Sequence, residues 1–596
     1  MSTVKNLPQW DMSVYFPSLS SAEFDSACQQ LVMAIDAQEE RFDELCISKK
    51  QGPTTLEDVS IFEEILTKRN KLAEDLRLVN AYVSGFTTTD SRNEVAHEKE
   101  SELDSQMVRN RKLGKRFIAW LGSLDLEFLL ANSELARDHK YALEKTAVAA
   151  QHLMEPALEG LASDLELTGV VAWGKLHGNV TSQLEVSLDI DGSQQRLPMS
   201  AVRSFAYDKD RNLRRDAYLA EFTAWKGAET PIAAAMNSIK GEVSLLSHRR
   251  GWDSPLDEAL FGANIDRPTL DAMLSASKAA FPIFRRYLKA KARVLGVEKL
   301  AFFDLFAPLG TGEREWEYHE AADFVVDQFT TYSSKLGDFA ARNFKENWID
   351  VGSRPGKRDG AFCMGVRREE SRILLNFKPS FGAVSTLAHE LGHGYHNLCL
   401  AERTPWQKST PMTLAETASI FCETIVRQAV LDTGTPEEKL TVLEASLQGT
   451  TQVVVDITSR FLFEKAVFDQ RAKRELSAKE LCDLMRKAQI ETYGDGLDPE
   501  FLHPYMWAAK PHYYGRSFYN FPYMFGLLFG LGLYAIYQKE PDSFHARYDE
   551  LLSSTGLADA ATLAAGFGID IRSSEFWEAS LAQIEQDVVL FEQLTA

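Results

Sequence analysis

Two histidines and a glutamate define the chemistry open to this chain. His389 and His393 are four residues apart and enclose Glu390, in the order His389-Glu390-Leu391-Gly392-His393. Residues four apart share one face of a helix, so the two imidazoles can bind one zinc ion. Glu390 follows the first ligand directly and can act as general base on a zinc-bound water. A catalytic zinc site needs a third protein ligand and one position left open for water. Two downstream glutamates qualify, Glu416 and Glu423, seven residues apart and so on one helical face. We read Glu416 as the ligand and Glu423 as a partner that orients a ligand. The competing reading of Glu416 is a capping box with Thr413. Pro411 argues against it, because it starts the helix earlier. His396, three residues after His393, would occupy the position that water needs.

The elements around these residues must hold them in place. The motif lies in an apolar helical run that begins near Val384. Gly392 and Gly394 each cost a helix interior about 1 kcal/mol relative to Ala. They predict that another backbone, or a substrate, comes close there. Upstream, Arg372–Phe377 predicts a short buried strand, and such a strand can offer its edge to an extended peptide. Gly360, Ala361 and Phe362 are the expected substrate-side loop. Downstream, Thr410 as N-cap and Pro411 at the first helical position predict a second helix to about Leu431.

If a zinc-bound water attacks a carbonyl, an oxyanion develops, and donors opposite the metal would share its charge. The run from Pro511 to Tyr523 is rich in such donors. A tyrosine hydroxyl, with an ordinary pKa of about 10, stays protonated at neutral pH.

The segment Thr386 to His393, the run Ala415-Glu416-Thr417-Ala418-Ser419 and then Glu423 resemble the oligopeptidase F branch of the thimet oligopeptidase-like zinc metallopeptidases. So do Gly360-Ala361-Phe362 with Asn376-Phe377, and the opening Trp10 to Pro17. The resemblance covers nearly the whole chain, in order. It implies that His389, His393 and Glu416 bind zinc, one ion per chain, and that Glu390 is the catalytic base. His512, Tyr519 and Tyr523 occupy places where the family has a histidine followed by tyrosine-rich positions, which makes them the expected oxyanion donors. Phe521 and Met524 stand where many relatives carry further tyrosines, so Tyr513 and Tyr514 remain alternatives. The resemblance further implies a mainly helical ellipsoid split by a deep channel, and cleavage of short unstructured oligopeptides.

Composition agrees with a globular protein: 596 residues, 45% hydrophobic and 25% charged. The net charge of −21 argues against nucleic acid and anionic membranes as partners. The start lacks an apolar signal core, and six scattered cysteines form no CxxC pair, which together predict a cytoplasmic location with reduced thiols. The apolar stretch from Phe518 to Tyr537 reads as a buried helix rather than a membrane span.

Helical periodicity dominates from Ser21 to Leu45, from Leu56 to about Val83 and from Asn93 towards Leu121. Leu184–Ile190, Asp191-Gly192 and the return through Met199 read as a β-hairpin. The expected fold class is mainly α, with that hairpin and a short strand beside the HExxH helix. We divide the chain into an N-terminal helical region (1–110), an N-terminal domain with the hairpin (111–202) and a catalytic domain (203–596). Gly310 and Gly312 fall in a predicted loop and are too weak a signal for nucleotide binding.

The expected activity is zinc-dependent endopeptidase cleavage of internal bonds in oligopeptides. One alternative is a metallocarboxypeptidase, which would need a basic residue such as Arg516 for the substrate's terminal carboxylate. Another is a peptide-binding protein without catalysis, against which the intact Glu390 speaks. Oligomeric state is left open.

Overall fold

Ser21, Thr55 and Asn93 each begin a long helix with a side-chain cap on a backbone N–H of the first turn. These helices are α1 (Ala22–Glu44), α2 (Leu56–Thr87) and α3 (Glu94–Leu121). Thr55 and Asp58 form a reciprocal capping box at the start of α2. Phe24, Leu31, Ile35 and Phe42 recur along one face of α1, and all are buried. The three helices share a core with the opening segment, where Trp10, Met12 and Phe16 are buried and the Tyr82 hydroxyl donates to the Phe16 carbonyl. The structure is a computed structural model and describes residues 7–309, 314–515 and 517–596. Gly310, Gly312 and Arg516 lie outside the described residues.

The expected hairpin is present. β1 (Glu185–Ile190) pairs antiparallel with β2 (Ser193–Pro198) around Asp191 and Gly192, both at positive φ. That backbone suits a tight hairpin turn. Val186 and Leu188 bury against α4 (Arg211–Arg249), which carries Pro231 inside its length.

A small sheet follows, with strand order β3-β5-β4. β3 (Ile349–Asp350) runs parallel to β5 (Glu370–Leu374), and β4 (Phe362–Arg367) pairs antiparallel with β5. This corrects the expected strand at Arg372–Phe377 in two ways. It begins and ends earlier, and it is the central strand, so the free edge belongs to β4. The partner that covers β5 is only two residues long, too short to leave a periodic signal.

The remaining helices that bear on the site are α5 (Phe381–Cys399), α6 (Met412–Ala415), α7 (Thr417–Thr433), α8 (Ile457–Arg471), α9 (Phe521–Lys539) and α10 (Ser574–Leu594). α5, α7, α9 and α10 pack into one large core through Leu387, Leu391, Phe421, Phe525 and Trp577. By length and composition α9 could cross a membrane, but 72% of its apolar window is buried inside the fold. The fold is mainly α, and the sheet joins the N-terminal helices to this core through Leu374, Phe362 and Met364.

Candidate active site

Ser380 caps α5, accepting from the Ala383 N–H, and the helix then carries His389, Glu390 and His393 without interruption. Gly392 and Gly394 lie where the fold needs the space. A Cβ at Gly392 would sit 2.6 Å from the Ala418 carbonyl and 2.6 Å from Ser419 Cα, so α5 and α7 touch backbone to backbone. At Gly394 a Cβ would meet the Phe339 ring at 2.9 Å. The approach predicted from these glycines is thus made by α7 and by Phe339.

The expected single helix from Pro411 to Leu431 is instead two, α6 and α7, broken at Glu416. Helix starts at Met412, with Pro411 rather than Thr410 at the N-cap position. Thr413 donates its hydroxyl to the Ala263 carbonyl at 2.6 Å and so forms no capping box with Glu416. At the break, Glu416 sits at φ −89°, ψ 2°, and its side chain turns to the two histidines.

His389 Nε2 lies 3.3 Å and His393 Nε2 3.4 Å from the same oxygen, Oε2 of Glu416. The two imidazole planes are 84° apart, with centroids 4.9 Å apart. The three donor atoms lie within 4.8 Å of one another. Each donor is oriented from behind. His389 Nδ1 is 3.2 Å from Glu423 Oε2, the Ala415 backbone hydrogen-bonds His393, and the Ser419 hydroxyl donates to Glu416 Oε2 at 2.7 Å. Glu423 is itself held by the Ser385 hydroxyl at 3.0 Å.

The electrostatics call for a cation. Burial pulls His389 down, yet Glu416 and Glu423 overcome it and raise its pKa to about 10. Burial pushes Glu416 up, and the two histidines with Ser419 reverse this to about 2. His393 is held down at about 4, chiefly by burial. Two carboxylates therefore retain a proton on one imidazole while the other stays neutral. Two imidazoles and a carboxylate in this disposition fit a divalent metal of the zinc type, whose charge would replace that proton.

Glu390 is 6% exposed, and its Oε2 has no hydrogen-bond partner among the described residues. Burial first, and Glu416 further, raise its pKa to about 7 against the pull of His389. It lines one cleft of about 540 Å³ with His389, His393, Glu416, Ala361, Phe362 and Cys363. Ala361 and Phe362 thus stand in the cleft wall. Gly360 forms the turn before them at φ +85°, and its carbonyl accepts from Asn376 Nδ2 at 2.9 Å. His396 borders the cleft as well, but its Nε2 pairs with the Thr555 hydroxyl at 3.0 Å.

His512, Tyr519 and Tyr523 form one ring cluster, with centroids 5.4 to 6.3 Å apart. None of the three is among the residues that line the metal cleft, and of them Tyr523, on α9, feels the charge of Glu416. Tyr523 stands one turn before Gly526, whose missing side chain lets Glu416 approach; a Cβ there would be 2.9 Å from Glu416 Cβ. Burial lowers the His512 pKa, helped by the charges of Arg460 and Lys510. Its Nδ1 is buried with no partner among the described residues. Burial, Tyr519 and Glu416 all raise the Tyr523 pKa. The alternative Tyr514 is fully buried, stacked on His177 and donating to the Trp507 carbonyl. Tyr513 is also buried, in the core beside Phe463.

Sequence reasoning missed Arg77, Lys408 and Asn397 in the cleft wall. Arg77 sits more than 300 positions before the motif, on a helix that reads only as amphipathic. No local signal could have found it.

The sequence profile of peptidase family M3 matches residues 204–583, more than half of the chain. The chain belongs to peptidase family M3. Across its whole length it is 23% identical to group B oligopeptidase PepB of Streptococcus agalactiae, of which it covers 98%. It is 21% identical to oligopeptidase PepF of Bacillus subtilis over 89% of this chain and 80% of that one. A crystal structure from Chlamydophila abortus, described as a peptidase, superposes with a TM-score of 0.83 at 20% identity, covering 98% of each chain. Oligoendopeptidase-F from Enterococcus faecium superposes at 0.69 and 18% identity over 96% of this chain and 98% of its own. These relatives put the M3 chain in the oligopeptidase F branch, as a metalloendopeptidase acting on peptides.

Proposed function

We propose that this M3 peptidase is a zinc-dependent endopeptidase that hydrolyses internal bonds of short unstructured oligopeptides, working in the cytoplasm. His389, His393 and Glu416 hold one zinc ion per chain. When bound, that ion supplies Lewis acidity, lowering the pKa of a water and polarising the scissile carbonyl. Glu390 accepts the proton of the attacking water and passes it to the leaving amine. A carboxylate whose pKa burial raises above the ordinary range can do both in one cycle. The substrate backbone lies along the free edge of β4, with Gly360, Ala361 and Phe362 as its loop contacts. Main-chain pairing of this kind binds many sequences alike. His512, with Tyr519 and Tyr523, donates hydrogen bonds to the developing oxyanion. A deep channel, as the family resemblance implies, would admit short flexible chains and exclude folded proteins.

One observation carries this reading. Glu390, with a buried oxygen that has no partner among the described residues, lines the same cleft as three converging candidate metal donors. The test is product mapping by mass spectrometry on an end-blocked peptide of roughly ten residues, a length suited to a narrow cleft. Internal cuts made by the wild type, lost on metal stripping or in Glu390→Gln and restored to the stripped wild type by zinc, are the expected result. Cleavage by Glu390→Gln at the wild-type rate overturns the assignment of the base. Trimming of only an unblocked peptide from its C-terminus overturns the endopeptidase reading.

A further inference from the structure

Two cations in the cleft wall have no acidic ion-pair partner among the described residues. Arg77, on α2, and Lys408, in the segment between α5 and α6, line the cleft that holds His389, Glu390 and Glu416. Both also line the adjoining groove towards Arg367 and Arg368. They therefore stand at the junction where a peptide lying along β4 would leave the metal cleft.

Arg77 reaches this place because β4 carries a glycine opposite it. A Cβ at Gly365 would lie 3.6 Å from Arg77 Cζ and 3.4 Å from Asn397 Nδ2. Among the described residues no hydrogen bond or ion pair holds the Arg77 guanidinium. Lys408 Nζ makes one bond, to the Ala401 carbonyl at 3.2 Å. The carboxylates around the groove are otherwise engaged. Glu370 pairs with Arg367, Glu369 with Arg342 and Asp75 with Lys71. Glu74 and Glu402 act on Lys408 only through space. The chain carries a net charge of −21, yet this pair of cations beside the reacting groups has no ion-pair partner among the described residues. Clefts focus such fields and raise the local concentration of the opposite charge. A guanidinium fork with both edges open matches a carboxylate.

We propose that Arg77 and Lys408 form a carboxylate-binding subsite of the metal cleft, selecting oligopeptides that present a carboxylate there. The group is either an acidic side chain or the free C-terminus of a short peptide. The proposal rests on reading the cleft as the peptide site.

The test uses the full chain and one peptide sequence in four forms: Glu or Gln at the positions flanking the cut, each with a free or an amidated C-terminus. For each, kcat/KM is measured with wild type, Arg77→Gln, Lys408→Gln and Arg77→Lys. Fluorescence anisotropy reads peptide binding separately on Glu390→Gln protein. The wild type should prefer the carboxylate-bearing form by roughly 10- to 100-fold, as charge-assisted bonds allow. That ratio should collapse towards one in Arg77→Gln, partly in Lys408→Gln, and survive in part in Arg77→Lys. The Glu/Gln pairs and the acid/amide pairs show which carboxylate is bound. A wild-type ratio within twofold of one in both pairs overturns the proposal, as does an unchanged ratio in both glutamine variants. If the peptides are cut but cutting ignores Glu390, the proposed mechanism fails instead.

Discussion

His389 is gripped through both ring nitrogens, with Nδ1 3.2 Å from Oε2 of Glu423. Its Nε2 faces Glu416 and the donor cluster. Glu423 thus fixes the tautomer and the plane of one donor while Ser385 fixes Glu423. Glu423→Gln keeps the shape and removes the charge. Metal affinity should fall by about 10- to 100-fold, read by competition with a chelator of known affinity. Affinity equal to the wild type would remove Glu423 from the site.

Glu390 contributes no donor to the cluster, so Glu390→Gln should retain metal and lose turnover. A general base accounts for about 10²- to 10⁴-fold in rate. Metal content by elemental analysis and kcat on one peptide separate the two effects. Loss of metal together with activity would place Glu390 among the ligands.

Gly392 and Gly394 separate two kinds of close approach. A methyl at 392 meets backbone of α7, which cannot swing aside, whereas one at 394 meets the Phe339 ring. Gly392→Ala should lower stability by about 1–3 kcal/mol and disturb the spacing of His393 and Glu416. Gly394→Ala should cost less. Thermal melts of both variants give the order, and a reversed order would contradict the packing described here.

The metal motif was legible because its meaning is local: a four-residue spacing needs only a helix. The hairpin at Asp191-Gly192 was legible for the same reason. The break at Glu416 was not. Pro411, Thr413 and the apolar spacing all suit a continuous helix, whereas the Glu416 turn packs against Gly526 of α9, more than a hundred residues along the chain. The free edge was misassigned to β5 because strand order depends on β3, a two-residue partner. His512, Tyr519 and Tyr523 were picked out together, yet no sequence pattern shows how far they stand from the donors. Arg77 was invisible because its role depends on Gly365, nearly 300 residues away.

The loop that carries Tyr519 is tied to a buried ion pair. Lys240 on α4 and Glu464 on α8 meet at 2.7 Å, both almost fully buried, and Glu464 also accepts from the Phe518 N–H at 3.1 Å. Phe518 sits at φ +52°, an unusual conformation that this bond helps to hold. Lys240→Met leaves a buried carboxylate unpaired and should cost about 3–5 kcal/mol in urea unfolding. The double variant Lys240→Met, Glu464→Leu should recover part of the stability but not the position of Tyr519. Its kcat should therefore stay low. Full recovery of both would separate the ion pair from the loop.

Lys510 gives a pH dependence of known sign. Burial first, then Arg460, lowers its pKa from 10.5 to about 8. Between those values the unfolded chain holds the proton and the folded chain does not, so stability attributable to this group rises with pH. Below about pH 8 the folded protein carries the full cost of the buried charge. Lys510→Met should be more stable than the wild type at pH 7, with the advantage shrinking by at most about 1.4 kcal/mol per pH unit above pH 8. Paired urea titrations at pH 7 and 9.5 check this. A constant difference would mean that Lys510 titrates normally.

The glycine at 526 also has a consequence in time. Glu416 leans on α9, and Ile420 leans on Gly530 one turn further along. The three candidate donors, His389, His393 and Glu416, leave the ribosome more than a hundred residues before α9, against which the last of them leans. A nascent chain therefore holds the ingredients of a peptidase without their arrangement.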